Sequence, residues 1–287
     1  MLFHVTGADG LVGKEVTAKL SELGDVQGTD VGDMDVTNLE SVKSMFLARP
    51  PDAVVHLAGI KGNLPSREDP LKFFNVNTTG VLNLLEASRL AGTKQFVFFS
   101  SLTVHGPVTE PVTEESPLAP QHPYSGSKAA SESIVHSYSQ AYGIRATNLR
   151  PNFIVGPIPA PLPYLDNLVY DFIGLAQNNG VIELAGDGQF EREWMHPKDI
   201  ASAVALALSS PKEGCETYIL CGERVTMLEF AQRIIKIVGT GRITTSPERG
   251  GFSIISSSEK AHGELGWKPE ISLDALITEI WDEYRSR

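Results

Sequence analysis

The stretch LFHVTGADGLVGKE, residues 2–15, decides the fold of this chain. Its first five residues form a short apolar run typical of a buried strand, and a helical pattern follows over residues 11–23. Between them stand Gly7, Gly10 and Gly13. Glycine permits a tight turn and lets the backbone approach a pyrophosphate at the helix N-terminus. The order of strand, glycine turn and helix therefore predicts a dinucleotide site.

An acidic residue at the end of the next predicted strand extends this site. Asp30 stands seventeen residues after Gly13, where a carboxylate can accept hydrogen bonds from the ribose diol of an adenosine. The same charge repels a 2′-phosphate, so Asp30 favours NAD over NADP as the cofactor. The alternative is that Asp30 is an ordinary turn residue.

Short apolar runs and amphipathic helical patterns alternate through the first half of the chain. Near-continuous apolar strands between helices are typical of a parallel sheet covered on both faces. The predicted fold class is therefore α/β, with a doubly wound parallel sheet of the Rossmann type. After the opening unit, the sequence predicts strands at 52–58, 94–101 and 145–151, and helices over 70–92 and 123–143, the second ended by Gly143.

One connection is too short for this pattern. Only five positions separate Asp30 from Asp35, whereas a parallel crossover takes about a dozen residues or more. The usual helix between the second and third strands is therefore expected to be absent. Either the third strand is a stub, MDV (34–36), or the chain passes directly across the sheet edge.

The pattern changes after residue 151. GPIPAPLP (156–163) has proline at alternate positions, which is typical of a stiff extended segment. We therefore divide the chain into an NAD-binding domain with the catalytic residues, 1–155, and a smaller C-terminal α/β substrate domain, 156–287. Some segments of the second domain are expected to return to the first sheet. Its predicted helices are 164–177, 198–210, 227–239 and 272–285, with strands at 181–186 and 217–222.

Composition excludes several classes of protein. The 287 residues carry a net charge of -11, which disfavours a nucleic-acid partner because phosphate neutralisation needs a basic face. No apolar run approaches the roughly 20 residues of a membrane span. The N-terminal residues show no basic leader, so we expect a cytoplasmic protein without a membrane partner. No metal site is predicted.

A second constellation carries acid–base chemistry. Ser101 follows the predicted strand FVFFSS, and Tyr124 and Lys128 follow on a predicted helix in YSGSK (124–128). At positions i and i+4 the phenol and the ammonium share one helix face. We expect the ammonium to stabilise the phenolate, so that Tyr124 acts as a base well below its solution pKa of about 10. Ser101 could hydrogen-bond the reacting oxygen.

These motifs resemble a known family. TGADGLVG, VVHLAGIK, FFSSLTVHG, YSGSK, LRPNFIVGP and GDGQFEREWMHPKDIA occur in the order found in extended short-chain dehydrogenase/reductases. The resemblance covers nearly the whole chain. Within that family the sequence is most similar to the NAD-dependent sugar-nucleotide epimerases and dehydratases. HLAGIK (56–61) is especially similar to the corresponding stretch of the UDP-glucose 4-epimerases.

The resemblance implies further cofactor contacts at matching positions. The amides of Leu11 and Val12 would assist the three glycines at the pyrophosphate. Asp35 and Val36 would flank the adenine, and Tyr124 and Lys128 would also contact NAD. The residues implied to line the cofactor cleft are Leu57, Ala58, Gly59 and Lys61, with Asn77 behind it.

For the substrate, the resemblance implies Ser101 and Arg192, the latter at the diphosphate of a nucleotide sugar. An ion pair of Arg192 with Glu191 or Glu193 is the alternative. Sugar-nucleotide relatives often carry asparagine where Phe153 stands, and Asn152, one place earlier, is the candidate to replace it.

Two other features depart from the relatives. Many of them have tyrosine where His105 stands, and His105 is either a loop side chain near the site or a second acid. The chain is also shorter than typical epimerases.

Three functions remain open on the sequence alone. The first is epimerisation of a nucleotide hexose by transient oxidation at C4; the resemblance also implies a homodimer formed through helices 70–92 and 123–143. The second is net dehydrogenation or reduction of a free sugar, sugar acid or other small alcohol. The third is a dinucleotide sensor without turnover. A 4,6-dehydratase is disfavoured because Leu102 and Thr103 follow Ser101, where such relatives carry an acidic pair.

Overall fold

The computed structural model describes residues 1–107, 111–157, 168–246, 253 and 255–287. Within these ranges the strands form one six-stranded, one three-stranded and one two-stranded sheet. The strands are β1 (Leu2–Thr6), β2 (Asp25–Thr29), β3 (Ala53–His56), β4 (Gln95–Phe99), β5 (Arg145–Pro151), β6 (Phe153–Ile154), β7 (Val181–Ala185), β8 (Glu191–Met195), β9 (Cys215–Leu220), β10 (Glu223–Thr226) and β11 (Arg242–Ser246).

Helices account for most of the remaining described residues. They are α1 (Leu11–Ser21), α2 (Leu39–Ala48), α3 (Asn63–Glu68), α4 (Pro70–Phe74), α5 (Gly80–Ala91), α6 (Pro123–Tyr142), α7 (Leu168–Gln177), α8 (Pro197–Ser209), α9 (Met227–Val238), α10 (Glu259–Leu265) and α11 (Leu273–Arg285). A π-helical turn, Asn75–Thr79, joins α4 to α5, and a short 3₁₀ helix spans Leu102–His105.

The six-stranded sheet is parallel throughout, in the order β2-β1-β3-β4-β5-β9. Apolar side chains alternate to both of its faces, because each central strand is buried on both sides. On one face Val5 and Val55 pack with residues of α1 and α8. On the other face Val54 and Phe96 pack with residues of α2, α5 and α6. The predicted doubly wound parallel sheet is confirmed.

The predicted stub strand after β2 is not present, and the next strand in the chain is β3. Residues 34–36, all of them described, form no strand, so the stub-strand alternative is wrong. Met34 and Val36 are instead buried in the core beside Phe46 of α2. The helix α2 lies between β2 and β3, so the expectation that the helix between the second and third strands is absent is wrong. Asn38 caps α2 by accepting a hydrogen bond from the Ser41 amide at 3.1 Å.

The helix predicted over 70–92 is interrupted by one wide turn. The π-helical turn Asn75–Thr79 separates α4 from α5, and such turns occur frequently at functional sites. Here it carries Asn77, whose side chain is buried. Gly92 ends α5 and Gly143 ends α6, both with positive φ, as a left-handed C-terminal cap requires.

The chain after β5 builds two small sheets and returns once to the large one. The small sheets have the orders β10-β8-β6 and β11-β7. A second apolar core there includes Trp194, Phe230 and Ile277. The strand β9 pairs with β5 and so returns to the large sheet. The division of the chain at 155/156 stays a prediction, and residues 164–167 of the predicted helix 164–177 lie outside the described ranges.

Among the described residues, no helix combines the length and the hydropathy that crossing a membrane would take.

Candidate active site

The glycine turn between β1 and α1 is packed against its own backbone. Gly10 donates its amide hydrogen to the Gly7 carbonyl at 3.1 Å, and Gly7 has a φ of 70°. A Cβ on Gly13 would lie 2.0 Å from the Gly7 carbonyl oxygen, and one on Gly7 would lie 2.7 Å from the Ala58 amide nitrogen. These positions therefore tolerate no side chain, which keeps the start of α1 open to a ligand.

The start of α1 has the properties of a pyrophosphate site. Gly10, its N-cap, has no side chain with which to accept a hydrogen bond from the first helical amides, those of Leu11 and Val12. Those amides and the helix dipole favour an anion. The residues present therefore fit the diphosphate of a dinucleotide.

Asp30 lies beside this turn. It directly follows β2, and its carboxylate accepts hydrogen bonds from the amides of Asp9 at 3.3 Å and Val31 at 2.8 Å. Asp9 belongs to the glycine turn itself. The contact places the carboxylate at the carboxyl end of β2, next to β1, where an adenosine ribose would be held.

Asp35 and Val36 hold the neighbouring segment in place. Asp35 is exposed and accepts hydrogen bonds from the Thr37 amide at 2.9 Å and the Thr37 hydroxyl at 2.8 Å. The Val36 side chain is buried, and its carbonyl accepts a hydrogen bond from Asn83 at 2.9 Å. The structure thus places the Val36 side chain in the core instead of the cleft.

The segment after β3 packs beside the glycine turn, on the side of Gly7. The amides of Leu57 and Ala58 donate to the Thr6 carbonyl oxygen at 3.2 Å and the Thr6 hydroxyl at 3.3 Å, which ties this segment to the end of β1. Gly59 stands next to α6, since a Cβ there would lie 3.6 Å from the Lys128 Nζ. Lys61 follows as an exposed side chain.

Asn77 joins this segment to α6. Its Oδ1 accepts from the Ile60 amide at 2.9 Å, and its Nδ2 donates to the Ile60 carbonyl and to the Ser127 hydroxyl, both at 3.0 Å. One buried side chain therefore fixes the cleft segment to α6.

The three predicted catalytic residues meet at the carboxyl end of β4. Ser101 follows this strand, Tyr124 opens α6, and Lys128 lies one turn later with its ammonium donating to the Phe99 carbonyl at 2.7 Å. Because Gly59 borders Lys128 and Ala58 borders Gly7, these three side chains lie near the segment that also packs on the glycine turn. The arrangement can exchange a proton with an alcohol or carbonyl oxygen.

The pKa values of Tyr124 and Lys128 are both shifted by burial, and that of Tyr124 shifts opposite to the expected direction. Burial raises the pKa of Tyr124, and its polar contact with Ser101 opposes that effect. The expectation that Tyr124 has a pKa well below that of a free phenol is therefore wrong for the protein by itself, because burial is the largest influence on this pKa. Burial also lowers the pKa of Lys128 to about 8, against the opposing influence of Glu132.

Aromatic neighbours orient the Tyr124 ring, and sequence reasoning missed them. The His122 ring stacks on Tyr124 with centroids 6.0 Å apart and planes 6° apart, and Phe73 meets it edge-on at 6.4 Å. His122 also caps α6 by accepting a hydrogen bond from the Ser125 amide at 3.1 Å. Histidine is not a preferred N-cap residue, so this cap had little signal in the sequence.

Arg192 lies on β8 between two aromatic rings. Its guanidinium carbon is 5.4 Å from the Phe153 ring centroid and 4.9 Å from that of Phe190. Burial lowers the pKa of Arg192, and its Nη1 donates to the Glu191 carbonyl oxygen at 3.0 Å. Such stacking restrains the guanidinium plane while its charge remains, and both properties suit the recognition of a phosphate.

Asn152 has a structural partner. Its Nδ2 donates to the buried carboxylate of Glu193 at 2.8 Å, and that carboxylate also accepts from Arg224 at 3.2 Å. The Asn152 amide group is thus turned to the protein interior, and its predicted contact with substrate gains no support from this geometry.

His105 is buried and joins Arg150 to the backbone at Pro117. Its Nδ1 lies 3.2 Å from the Pro117 carbonyl and its Nε2 lies 3.0 Å from Arg150 Nη1. A carbonyl can only accept, so Nδ1 carries the hydrogen and Nε2 accepts from Arg150. Burial and the Arg150 charge lower the His105 pKa. The neutral imidazole is therefore a structural side chain and is not a second acid.

Comparison with known proteins places the chain in a family. A model of the NAD dependent epimerase/dehydratase family matches residues 3–221. The chain belongs to this family. It is 30% identical to the UDP-glucose 4-epimerase of Lacticaseibacillus casei over 270 residues, which cover 86% of this chain and 81% of the relative.

Other relatives show the breadth of the family. The crystal structure of UDP-glucose 4-epimerase with UDP-glucose from Thermotoga maritima has a TM-score of 0.89 at 25% identity, covering 100% of this chain and 99% of that one. A dTDP-glucose 4,6-dehydratase of Streptomyces niveus is 29% identical over 239 residues, covering 82% of this chain and 70% of the relative. The resemblance to extended short-chain dehydrogenase/reductases is thereby confirmed, and the chain is an NAD-dependent enzyme of the epimerase/dehydratase type.

Proposed function

We propose that this enzyme interconverts the C4 epimers of a nucleotide hexose of the UDP-glucose and UDP-galactose type. The observation that carries the proposal is the position of Lys128, with its ammonium 2.7 Å from the Phe99 carbonyl and close to Gly59 of the cofactor cleft. The named relatives that are most similar include UDP-glucose 4-epimerases, which supports this substrate class.

The chain's own residues would handle the proton and the orientation of the sugar. Tyr124, as its phenolate, would accept the C4 hydroxyl proton while the C4 hydride leaves, and would return it when the hydride comes back. Burial raises the pKa of Tyr124 and so works against the phenolate in the protein by itself. Ser101 hydrogen-bonds the same oxygen, and Lys128 supplies a positive charge beside the phenol. NAD, when bound, supplies reversible acceptance of the C4 hydride. Cofactor contacts by the glycine turn, Asp30 and the segments around residues 35 and 57–61 are part of the proposal.

A conversion assay tests this proposal. We expect purified enzyme to turn UDP-galactose into UDP-glucose without added NAD, because the cofactor is regenerated in each cycle. A panel of other nucleotide hexoses serves as the comparison. Absence of conversion across the whole panel would reject the proposal.

A net dehydrogenase is the second candidate, and Phe153 favours it. This aromatic ring is 39% exposed where sugar-nucleotide relatives often carry asparagine, and the neighbouring Asn152 is occupied by Glu193. Stoichiometric formation of NADH from a free sugar, a sugar acid or another small alcohol would support it.

A 4,6-dehydratase lacks such support, because Leu102 and Thr103 replace the acidic pair expected there. The dinucleotide sensor is also disfavoured, because Tyr124 and Lys128 are both present.

Arg192 is proposed to bind the diphosphate of the substrate. We expect Arg192→Met to raise KM for the nucleotide sugar about 10- to 100-fold, because charge-assisted hydrogen bonds contribute about 1.5–3 kcal/mol. The value of kcat should change less than about threefold, as for a contact equally strong in ground and transition states. Steady-state kinetics measure both constants. Arg49→Met, at an exposed arginine, is the control, and an unchanged KM in Arg192→Met would remove this role.

A homodimer is proposed through α4, α5 and α6. Apolar side chains are exposed along this surface, at Leu71, Phe74, Leu82 and Leu90, as on an interaction face. We expect the enzyme to sediment at twice the chain mass and Leu82→Asp to sediment as a monomer. Leu23→Asp, at another exposed leucine, should leave the mass unchanged. A wild-type monomer at micromolar concentration would contradict the proposal.

A further inference from the structure

A buried carboxylate stands one turn beyond the predicted catalytic lysine. Glu132 follows Lys128 by four residues on α6, so the two share a helix face. Only 5% of Glu132 is exposed. Its Oε1 accepts a hydrogen bond of 2.5 Å from the Ser100 hydroxyl, at the end of β4. One carboxylate therefore contacts the residue that precedes Ser101 and lies close along the helix to Lys128.

A buried arginine pairs with this carboxylate. Arg150, on β5, donates from Nε to Glu132 Oε1 at 2.9 Å and from Nη2 to Oε2 at 2.6 Å, a two-pronged pair that is buried on both sides. The neutral His105 accepts from the remaining Nη1 at 3.0 Å. Each charged group is thus hydrogen-bonded, which is the condition for a buried ion pair to persist.

The same network ties the end of β4 to α6 twice. Lys128 donates to the Phe99 carbonyl at 2.7 Å, and Ser100 donates to Glu132 at 2.5 Å. Ser101 is the next residue, and its side chain is hydrogen-bonded to that of Tyr124. A shift of Glu132 would move the strand end that presents the Ser101 hydroxyl.

We propose that Glu132 is a positioning residue, which holds Lys128 in its charged form and fixes the strand end that carries Ser101. The proposal rests on the proposed function only in giving Lys128 a part in the reaction. Sequence reasoning took Tyr124 and Lys128 as a pair. The structure extends them to a row of three along α6, at positions 124, 128 and 132.

The electrostatics around Lys128 support this assignment. Burial lowers the pKa of Lys128 to about 8, and the charge of Glu132 opposes that fall. His56 faces Lys128 from β3, with a pKa lowered to about 3, so it is uncharged at neutral pH. Tyr124, on the same helix, has a raised pKa and stays neutral. The charged group that faces Glu132 in turn is Arg150, on β5.

A direct titration of Lys128 tests the proposal on the protein without substrate. The enzyme is labelled with ¹³Cε-lysine, and Lys128→Met identifies the signal of Lys128. In Glu132→Gln we expect its titration midpoint to lie about one pH unit below that of the wild type, since a nearby opposite charge shifts a pKa by about one to three units. Glu86→Gln, at a carboxylate paired with Arg89 on α5, should leave the midpoint unchanged.

A second variant covers the risk that Glu132→Gln does not fold. Removing one partner of a buried ion pair leaves the other charge uncompensated and is strongly destabilising, whereas removing both charges is far less costly. The double variant Glu132→Gln with Arg150→Met is therefore expected to fold and to lower the Lys128 midpoint by a smaller amount. An unchanged or raised midpoint in either folded variant overturns the proposal, whether or not the enzyme proves to be an epimerase.

Kinetics separate this role from a purely structural one. Where turnover is measurable, we expect kcat of the Glu132 variant to approach the wild-type value near pH 6, where Lys128 is charged in both. It should fall about fivefold below wild type near pH 8, as a midpoint one unit lower requires. A loss of the same factor at every pH would mean that Glu132 only supports the fold, and would overturn its charge-holding role.

Discussion

Tyr124→Phe is expected to lower kcat about a thousandfold, while the protein stays folded and retains bound NAD. General acid–base catalysis by one side chain contributes about 10²- to 10⁴-fold, and phenylalanine removes only the hydroxyl that exchanges the proton. The ring should keep its place, because His122 stacks on it and Phe73 meets it edge-on. Rates of conversion, NAD content and the circular dichroism spectrum are the measurements.

The control for this variant lies on the same helix. Tyr142→Phe removes a hydroxyl from a tyrosine that is 53% exposed near the other end of α6. It should leave kcat within about twofold, as expected for a surface substitution. Turnover of Tyr124→Phe at the wild-type rate would end the assignment of Tyr124 as the proton-transferring group.

Gly13→Ala is expected to abolish NAD retention and to destabilise the fold. The new Cβ would lie 2.0 Å from the Gly7 carbonyl oxygen and 2.8 Å from the Ala8 backbone. Neither neighbour is a flexible side chain, so the turn or the start of α1 must move. Overpacking of this kind costs about 1–3 kcal/mol, and we expect NAD affinity to fall at least about 100-fold. Thermal unfolding and the NAD content of the purified protein measure the two effects.

A second helical glycine provides the matched control. A methyl group on the Cα of Gly263, in α10, would have no heavy atom of the described residues within 4 Å, its own helix backbone and chain neighbours aside. Gly263→Ala should therefore keep NAD and gain up to about 1 kcal/mol from helix propensity. If Gly13→Ala retained NAD as well as this control does, the glycine turn would not be the pyrophosphate site.

Local patterns carried most of the fold and the principal predicted site residues. Strand, glycine turn and helix follow one another within residues 2–21, and the structure preserves that order. Tyr124 and Lys128 are four residues apart on a helix whose start and end lie close to the prediction. These features depend on neighbours in the chain, so periodicity and spacing are enough to find them.

Two other local signals were present and missed. The segment NLESVKSMF (38–46) begins with a good N-cap residue and continues with apolar residues at helical spacing, which is the pattern of α2. Glu132 stands at the next helical step after Lys128, so a place on the same face could have been inferred. The first signal directly follows the short connection after β2, and the second directly follows the Tyr124–Lys128 pair.

Long-range contacts could not be predicted in the same way. Arg150 meets Glu132 from another element, and His105 reaches both Arg150 and Pro117. The pKa of Tyr124 depends on how closely the surrounding elements bury it, and the sequence pattern contains no measure of that burial. The burial of Met34 and Val36 in the core, where a stub strand was one of the alternatives, likewise depends on contacts with other elements.

Transfer of a deuterium label tests the central claim most directly. The enzyme, without added NAD, is given UDP-galactose carrying deuterium at C4, and the product is analysed by mass spectrometry and NMR. We expect UDP-glucose with the deuterium retained at C4, because the same hydride leaves and returns within one site. Product with hydrogen from solvent at C4, or deuterium recovered in stoichiometric reduced cofactor, would contradict the claim.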